Sequence, residues 1–318
     1  MASNLTISSS SYAGELALPY IHAALLTGDT IANRYVTVKE NVKFKAVLKK
    51  LASSGLVKAA GCDFDNSTST LTLSEALLQV TDLMTNVQVC KDQFASDWEA
   101  MQTGRGFIND VIPANFTDFL ISYLAGKISE QIEFTLWQGN FTGAVGGNSG
   151  YTAFDGIMKK LQDAFTTSPS YNITSALSVS GAGGTTAIMT AIDSLVAVIP
   201  AAIIGSPNTK CYMSRKTFQL YMQACMAAGT GGPTLPSGDA IMKQVYGYEI
   251  YVCPGFPNDC LLFAQPDNLF VGTDLVSDQN EVKVVDMSLT DASDNVRMAM
   301  RYRFGTQVGF TGDVAVAY

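Results

Sequence analysis

The sequence predicts an α+β fold in which a compact core carries long extended parts. Three observations lead there. Residues 36–49, VTVKENVKFKAVLK, alternate with period two. Residues 113–140 place apolar side chains at helical spacing over a length far above that of an average helix. Most of the chain beyond residue 246 reads as strands separated by short polar turns.

Residues 1–35 are weakly periodic. LALPYIHAALL (16–26) is apolar and broken by Pro19, and TGDTIAN (27–33) is loop-like, which predicts an arm that gains its order by lying on another surface. In 36–49, Val36, Val38, Val42, Phe44, Ala46 and Leu48 share one face, interrupted only by Glu40. Thr37, Lys39, Asn41, Lys43, Lys45 and Lys49 share the other, broken only by Val47. A single strand of that length would span about 46 Å at roughly 3.3 Å per residue. A second extended piece, TSTLTLSEALL (68–78), follows the turn-rich GCDFDNS (61–67). Together they predict a long two-stranded arm, marginal by itself and in need of a neighbour to pack on.

The helix over 113–140 starts with Pro113 suited to a first turn and Asp118 to the positive end of the dipole. Leu120, Leu124, Ile128, Ile132 and Leu136 recur at every fourth residue, Phe116 and Tyr123 widen the stripe, and Gly139 is the expected stop. About 25 residues at 1.5 Å each give a rod of roughly 37 Å, long enough to act as a spine. Further on, the sequence predicts a helix over 151–165, a loop with one strand over 168–184, a helix over 185–204 ending near Pro200, a strand over 210–214 and a helix over 215–229. Strands are expected over 246–255, 259–265, 268–274, 281–287 and 296–310. There is no internal repeat.

The 318 residues suggest about two compact units. Hydrophobic residues make up 47% and charged residues 15%, which leaves apolar surface to be buried against other chains. The net charge, 20 − 28 = −8, argues against tight nucleic-acid binding, because an acidic chain gains nothing from neutralising phosphates. No run of 18 apolar residues occurs, and the N-terminus lacks a basic start followed by an apolar stretch, so neither a membrane span nor a signal peptide is expected. The sequons at Asn4, Asn66, Asn115, Asn140 and Asn172 are chance matches on that reading.

Candidate chemistry is sparse. Cys62, Cys90, Cys211, Cys225, Cys253 and Cys260 form no CxxC pair, and His22 is the only histidine. Free, mostly buried thiols are expected, with no metal or catalytic site. SGAGGTTA (180–187) is glycine-rich ahead of a helix but lacks the Gly-Lys-Ser/Thr of a phosphate loop, and Thr186 stands where a dinucleotide fingerprint needs glycine. His22 has no nucleophile near it in sequence. Asp63, Asp65 and Asn66 resemble part of a calcium loop without its closing glutamate. The lysines of residues 36–50 have two readings: a solvated face that protects an exposed strand, or contact with acidic surface on an adjacent subunit.

The order of elements resembles the major capsid proteins of tailed bacteriophages, which have the Hong Kong 97-type fold. IEFTLWQGN (132–140) followed by YTAFDGIMKKL looks like that family's spine-helix exit, and IDSLVAVIP followed by CYMSRKTFQLY like its axial-domain helix, strand and next helix. YGYEIYVCPGFP and DNLFVGTDL look like strands returning to the peripheral domain, and RYRFGTQVGF like the closing strand. TLTLSEALLQVTDLMTNVQVCKDQFASDW (70–98) is similar to capsid proteins of crAss-like phages.

The resemblance implies an N-terminal arm (1–35), an extended loop (36–90), a peripheral domain with the spine helix at 113–138 (91–170), an axial domain (171–266) and a return to the peripheral sheet (267–318). It implies a non-enzymatic shell protein that assembles as hexamers and pentamers into an icosahedral capsid around double-stranded DNA held without sequence-specific binding. It implies no cofactor or metal, assembly in the bacterial host cytoplasm, and partners in a portal protein, a scaffold and decoration proteins. The start almost directly at the arm is expected for a chain with a separate scaffold or for a mature form. An encapsulin-like compartment is an alternative on the same fold. A soluble α/β enzyme using the 180s loop is a third reading, opposed by the missing acid–base cluster. DNLFVGTDL carries no chemistry and is expected to be a rigid joint between two halves of a building block.

Overall fold

The computed structural model describes residues 10–13, 28–54, 70–90, 116–142, 151–167, 173–174, 184–227, 244–274, 281–287, 293 and 295–318. In chain order the elements are β1 (Ser10–Ala13), α1 (Asp29–Ala32), β2 (Thr37–Lys39), β3 (Lys45–Ser54), β4 (Thr70–Gln79), β5 (Thr81–Cys90), α2 (Phe116–Gln138), α3 (Ile157–Thr167), β6 (Ile173–Thr174) and α4 (Gly184–Ala197). There follow β7 (Lys210–Met213), α5 (Arg215–Ala227), β8 (Gln244–Val245), β9 (Tyr248–Val252), β10 (Leu261–Ala264), β11 (Leu269–Thr273), β12 (Glu281–Asp286), β13 (Asn295–Val308) and β14 (Ala315–Ala317).

Strand β13 is the axis of the first sheet. Its alternation is strict: Val296, Met298, Met300, Tyr302 and Phe304 are buried, while Arg297 and Arg301 are exposed. Phe304 pairs with both Thr273 and Thr81, and Arg301 with both Glu281 and Met84. A strand residue has one neighbour on each side, so β5 runs along one side of β13 and β12 and β11 lie in line along the other. β1 extends the sheet beyond β12, and β2 adds to β11 in parallel.

Helix α2 packs on the buried face. Its 23 residues span about 35 Å. Ile121, Ala125, Ile128, Ile132 and Leu136 are its buried stripe. Ile128, Ile132 and Leu136 of the expected row lie in it, while nearer the N-terminal end Ile121 and Ala125 take the contact face in place of Leu124. A step of four residues turns 400°, so such a row drifts 40° per step and leaves the contact face. Leu124 is therefore only partly buried, and Tyr123 is 54% exposed rather than widening the core stripe.

The second sheet has the order β6-β14-β10-β7-β9-β8. It is covered on both sides. Cys211, Met213, Leu261, Phe263, Ala315 and Ala317 face a core shared with Ile188, Ile192 and Leu195 of α4 and Tyr221 of α5. Tyr212, Leu262, Ala264 and Val316, one residue out of phase, face the core of the spine helix. This is why β10 and β14 read as continuous apolar runs.

Two of the passages between the sheets are short turns. From β10 to β11 the chain crosses through a 3-10 turn at Pro266–Asn268, and from β13 to β14 through another at Thr311–Asp313. Asn268 joins the crossings: its Nδ2 donates to the Phe310 carbonyl at 2.8 Å and its Oδ1 accepts from the Phe310 amide at 2.8 Å. The Gly309 amide also donates to the Asn268 carbonyl at 2.8 Å. The described part of DNLFVGTDL, residues 267–274, thus begins in one of these crossings and continues as β11.

Several expected elements differ. The single long strand over 36–49 is two strands with an irregular segment between them. Asn41 adopts φ 58°, and the Val42 amide turns inward to donate to the Thr273 carbonyl at 3.2 Å. The left-handed residue breaks the ladder that the alternation implied. The helix expected from Tyr151 starts at Ile157. There Gly139 and Gly156 approach so closely that a Cβ on either would strike backbone. The strand expected over 246–255 reverses at Tyr246 (φ 48°) and Gly247 (φ 83°), a two-residue hairpin turn between β8 and β9.

Candidate functional site: the extended arm

The arm is the antiparallel pair β3–β4, in register from Lys45 opposite Gln79 to Ser54 opposite Thr70. Its two faces differ. One looks toward the body: Leu48 (8% exposed) and Leu78 (0%) form a small core with Val42 and Val80, against which Ala46, Ala76 and Phe270 pack. The root sits on a saddle made of two glycines. Leu78 and Val80 touch the space beside Gly272, and a Cβ on Gly305 would run into the Gln79 carbonyl. Farther out, Lys50 pairs with Asp313 in the second crossing, and its ammonium lies 5.1 Å from the centroid of the Phe310 ring.

The other face looks away from the described body of the chain. Val47 stands opposite Leu77, Leu51 opposite Leu73, and Ser53 opposite Leu71. Val47 is 49% exposed, and the leucines at 51, 71, 73 and 77 are 53–67% exposed. Such cross-strand pairs normally form a sheet's buried face. Covering each by a partner would contribute about 1 kcal/mol, half or so of the full burial value.

The lysines of this region largely find partners in their own chain. Lys39 lies over Phe270 at 5.8 Å, Lys45 over Phe44 at 5.1 Å, and Lys49 stands 3.8 Å from Glu75 across the strands. These contacts favour the solvated, strand-protecting reading for the stripe and give Lys50 a separate role at the root.

Among the described residues the remaining candidates form no reaction centre. Cys211, Cys253 and Cys260 are buried free thiols, and burial pushes Cys260 up to about 12 and raises the other two as well, so none is a thiolate at neutral pH. A polar cleft of about 240 Å³ at the arm root is lined by Gln79, Thr81, Asp155, Lys160 and Thr306 among others. Both Asp155 carboxylate oxygens there are engaged, by Asn140 Nδ2 at 2.9 Å and Lys160 Nζ at 3.0 Å. No cluster of three or more His, Cys, Asp and Glu side chains suited to a metal occurs among the described residues. His22, Asp63, Asp65, Asn66, Cys62 and residues 180–183 lie outside the described residues, and residues 184–187 begin α4.

Sequence reasoning missed three parts of the site. Phe44 shares the parity of the buried residues but is 64% exposed, because the backbone bends at residues 43–44 before β3 begins. β5 is a strand that the sequence reading does not include, and the Lys50–Asp313 tie is invisible over 263 residues of separation. The outward ladder did leave a trace: Val47, Leu51, Leu71, Leu73 and Leu77 are apolar at the parity opposite to Leu48 and Leu78.

No protein-family profile and no curated protein sequence matches the chain. Solved structures do. A chain of the procapsid of satellite phage P4, a structure that includes the size determination (Sid) protein, aligns with TM-score 0.56 at 11% identity, covering 94% of this chain and 96% of that one. A chain of the capsid of a native GTA particle aligns with TM-score 0.53 at 11% identity, covering 100% and 93%. A chain of the capsid of Myoviridae phage XM1 aligns with TM-score 0.53 at 10% identity, covering 100% and 95%. The α+β architecture is that of capsid structures of the Hong Kong 97 type.

Proposed function

We propose that this chain is a major capsid protein whose copies build the shell of a tailed phage or of a phage-like particle. The observation that carries the reading is the arm: ten-residue strands projecting from a fully formed core and turning a ladder of aliphatic side chains outward. A chain that worked alone would gain nothing from this ladder, whereas a chain surrounded by copies of itself buries it at every contact. Each contact can be weak because closure of a symmetric shell repeats it. The likeness in fold to chains from phage and GTA capsids supports the same role.

On this reading the chain divides as the resemblance implies, with arm, extended loop (36–90), peripheral domain, axial domain and returning strands. The shell is icosahedral, made of hexamers and pentamers around double-stranded DNA, and its partners include a portal, a scaffold and decoration proteins. It would form in the bacterial host cytoplasm and remain in the virion capsid. The sequence of 70–98 supports a relation to crAss-like phages.

The test is the double substitution L71D/L73D. Both side chains are more than half exposed, so the isolated chain should keep its circular dichroism and melting temperature. Particles visible by light scattering and electron microscopy should be absent. Normal particles from this variant would remove the arm from the assembly contact and the proposal with it.

A further inference from the structure

Residues 28–36 fill the corner where the spine helix meets the second sheet. Thr30 is fully buried, and Ile31 and Val36 belong to the main core. The Tyr212 hydroxyl donates to the Tyr35 carbonyl at 2.7 Å, and the Tyr35 ring stacks on Tyr251 with centroids 4.0 Å apart. At the centre, the Trp137 indole N–H donates to the Thr30 hydroxyl at 3.0 Å. That hydroxyl has then accepted one bond and donates its own to Glu133 Oε1. The Thr30 amide donates to Glu133 Oε2 at 3.2 Å.

Glu133 is only 5% exposed. Its donors are neutral, and no cation pairs with it among the described residues. The titratable groups that face it are Asp29 from α1, of like charge, and Cys253 from the turn after β9. On its own helix, Lys127 is bonded to Glu130 in solvent. An ionised carboxylate in such a place is poorly compensated. We propose that Glu133 makes the docking of residues 28–36 a latch that closes more tightly when the carboxyl takes up a proton.

The direction follows from linkage. Burial raises the affinity of this carboxyl for its proton, and the hydrogen bonds from Thr30 and the Gly255 backbone oppose that only in part. Opening the latch returns Glu133 to water and to an ordinary affinity. The docked state therefore binds the proton more tightly than the open state. Docking is strongest below the ordinary carboxylate range and weakens as pH rises through the raised value. β2 and the arm root follow the latch directly in the chain, so its state reaches the assembly element. The latch is a property of the single chain and stands whether or not copies assemble.

Hydrogen exchange read by mass spectrometry on the full chain, between about pH 4.5 and 7.5 and corrected for intrinsic rates, tests this. Protection of the Thr30–Tyr35 amides should rise severalfold on acidification while β13 stays unchanged. Glu133→Gln should hold the protection of the acid state across the whole range. Thr30→Val should lower protection and steepen its pH dependence. Protection in the unmodified chain that is flat or falls in acid, with β13 intact, overturns the latch, and so does a Glu133→Gln profile identical to it. The unmodified chain decides alone if a variant does not fold.

Discussion

The arm β3–β4 and the inner strands β7, β10 and β14 are built from similar aliphatic residues and end in opposite surroundings. In the inner strands, successive side chains enter two different cores of the same chain, and Leu261, Leu262, Phe263 and Ala264 are all fully buried. In the arm, Leu48 and Leu78 find a partner in the body, while Leu71, Leu73 and Leu77 on the opposite parity find none among the described residues. Hydrophobicity alone does not distinguish the two regions. What distinguishes them is whether the chain brings a second layer to each face. An uncovered apolar sheet face marks an interaction surface, which is what the proposed shell would use.

The sharpest way to break the comparison is to put the same charge into each region. Leu262→Asp sets a carboxylate between two cores with no partner prepared for it. The expected loss is on the order of 5 kcal/mol, comparable with the whole stability of many domains, so no soluble folded chain should be recovered. Leu73→Asp, in the double variant above, should leave folding within about 0.5 kcal/mol and act only on assembly. Similar losses of soluble protein from both substitutions, measured by expression and urea titration, would mean that the arm's outward face is already covered within the chain.

A smaller perturbation addresses how the two regions are joined. Gly305 lets β13 pass against the backbone of Gln79 and Val80. A methyl group there has nowhere to go but into backbone, so Gly305→Ala should cost about 2 kcal/mol by overpacking. It should also lift the arm root, read as faster exchange in β4 with β10 unchanged. Equal loosening of both would place the strain in the core rather than at the saddle.

Much of this design is written locally. The spine helix, α5 and strands β4 and β10–β13 emerge from periodicity near their observed bounds, because each needs only its own side-chain pattern. Other features depend on contacts distant in sequence. Whether residues 36–54 make one strand or two is decided by Thr273, which captures the Val42 amide. β14 is three residues long, too short for any period, and exists because β10 offers it an edge. Tyr123 reads as core until the drift of a four-residue row is taken into account. Of the arm, the strands and the apolar ladder are legible in sequence. Which face of it turns outward is not, since that depends on Gly272, Gly305 and Lys50 meeting parts of the chain about 190 residues away or more.

The mildest test concerns that last tie. Lys50 reaches from β3 to Asp313 and rests over Phe310, binding the arm to the crossing that Asn268 also holds. Both charged side chains keep some contact with solvent, 37% and 22% exposed, so screening limits what the pair contributes. Lys50→Ala should therefore cost at most about 1 kcal/mol in a urea titration, and the difference from the unmodified chain should shrink in high salt. Lys50→Met separates the two contributions. It keeps an unbranched apolar chain and removes the charge, so it should recover the part of the loss due to packing. If Lys50→Met is as destabilising as Lys50→Ala, and salt abolishes the difference for both, the charge of Lys50, paired with Asp313 and set over the Phe310 ring, fastens the arm there. If Lys50→Met matches the unmodified chain, the arm is held on its body side by packing, as the inner strands are, and the two regions differ only in the face the arm leaves open.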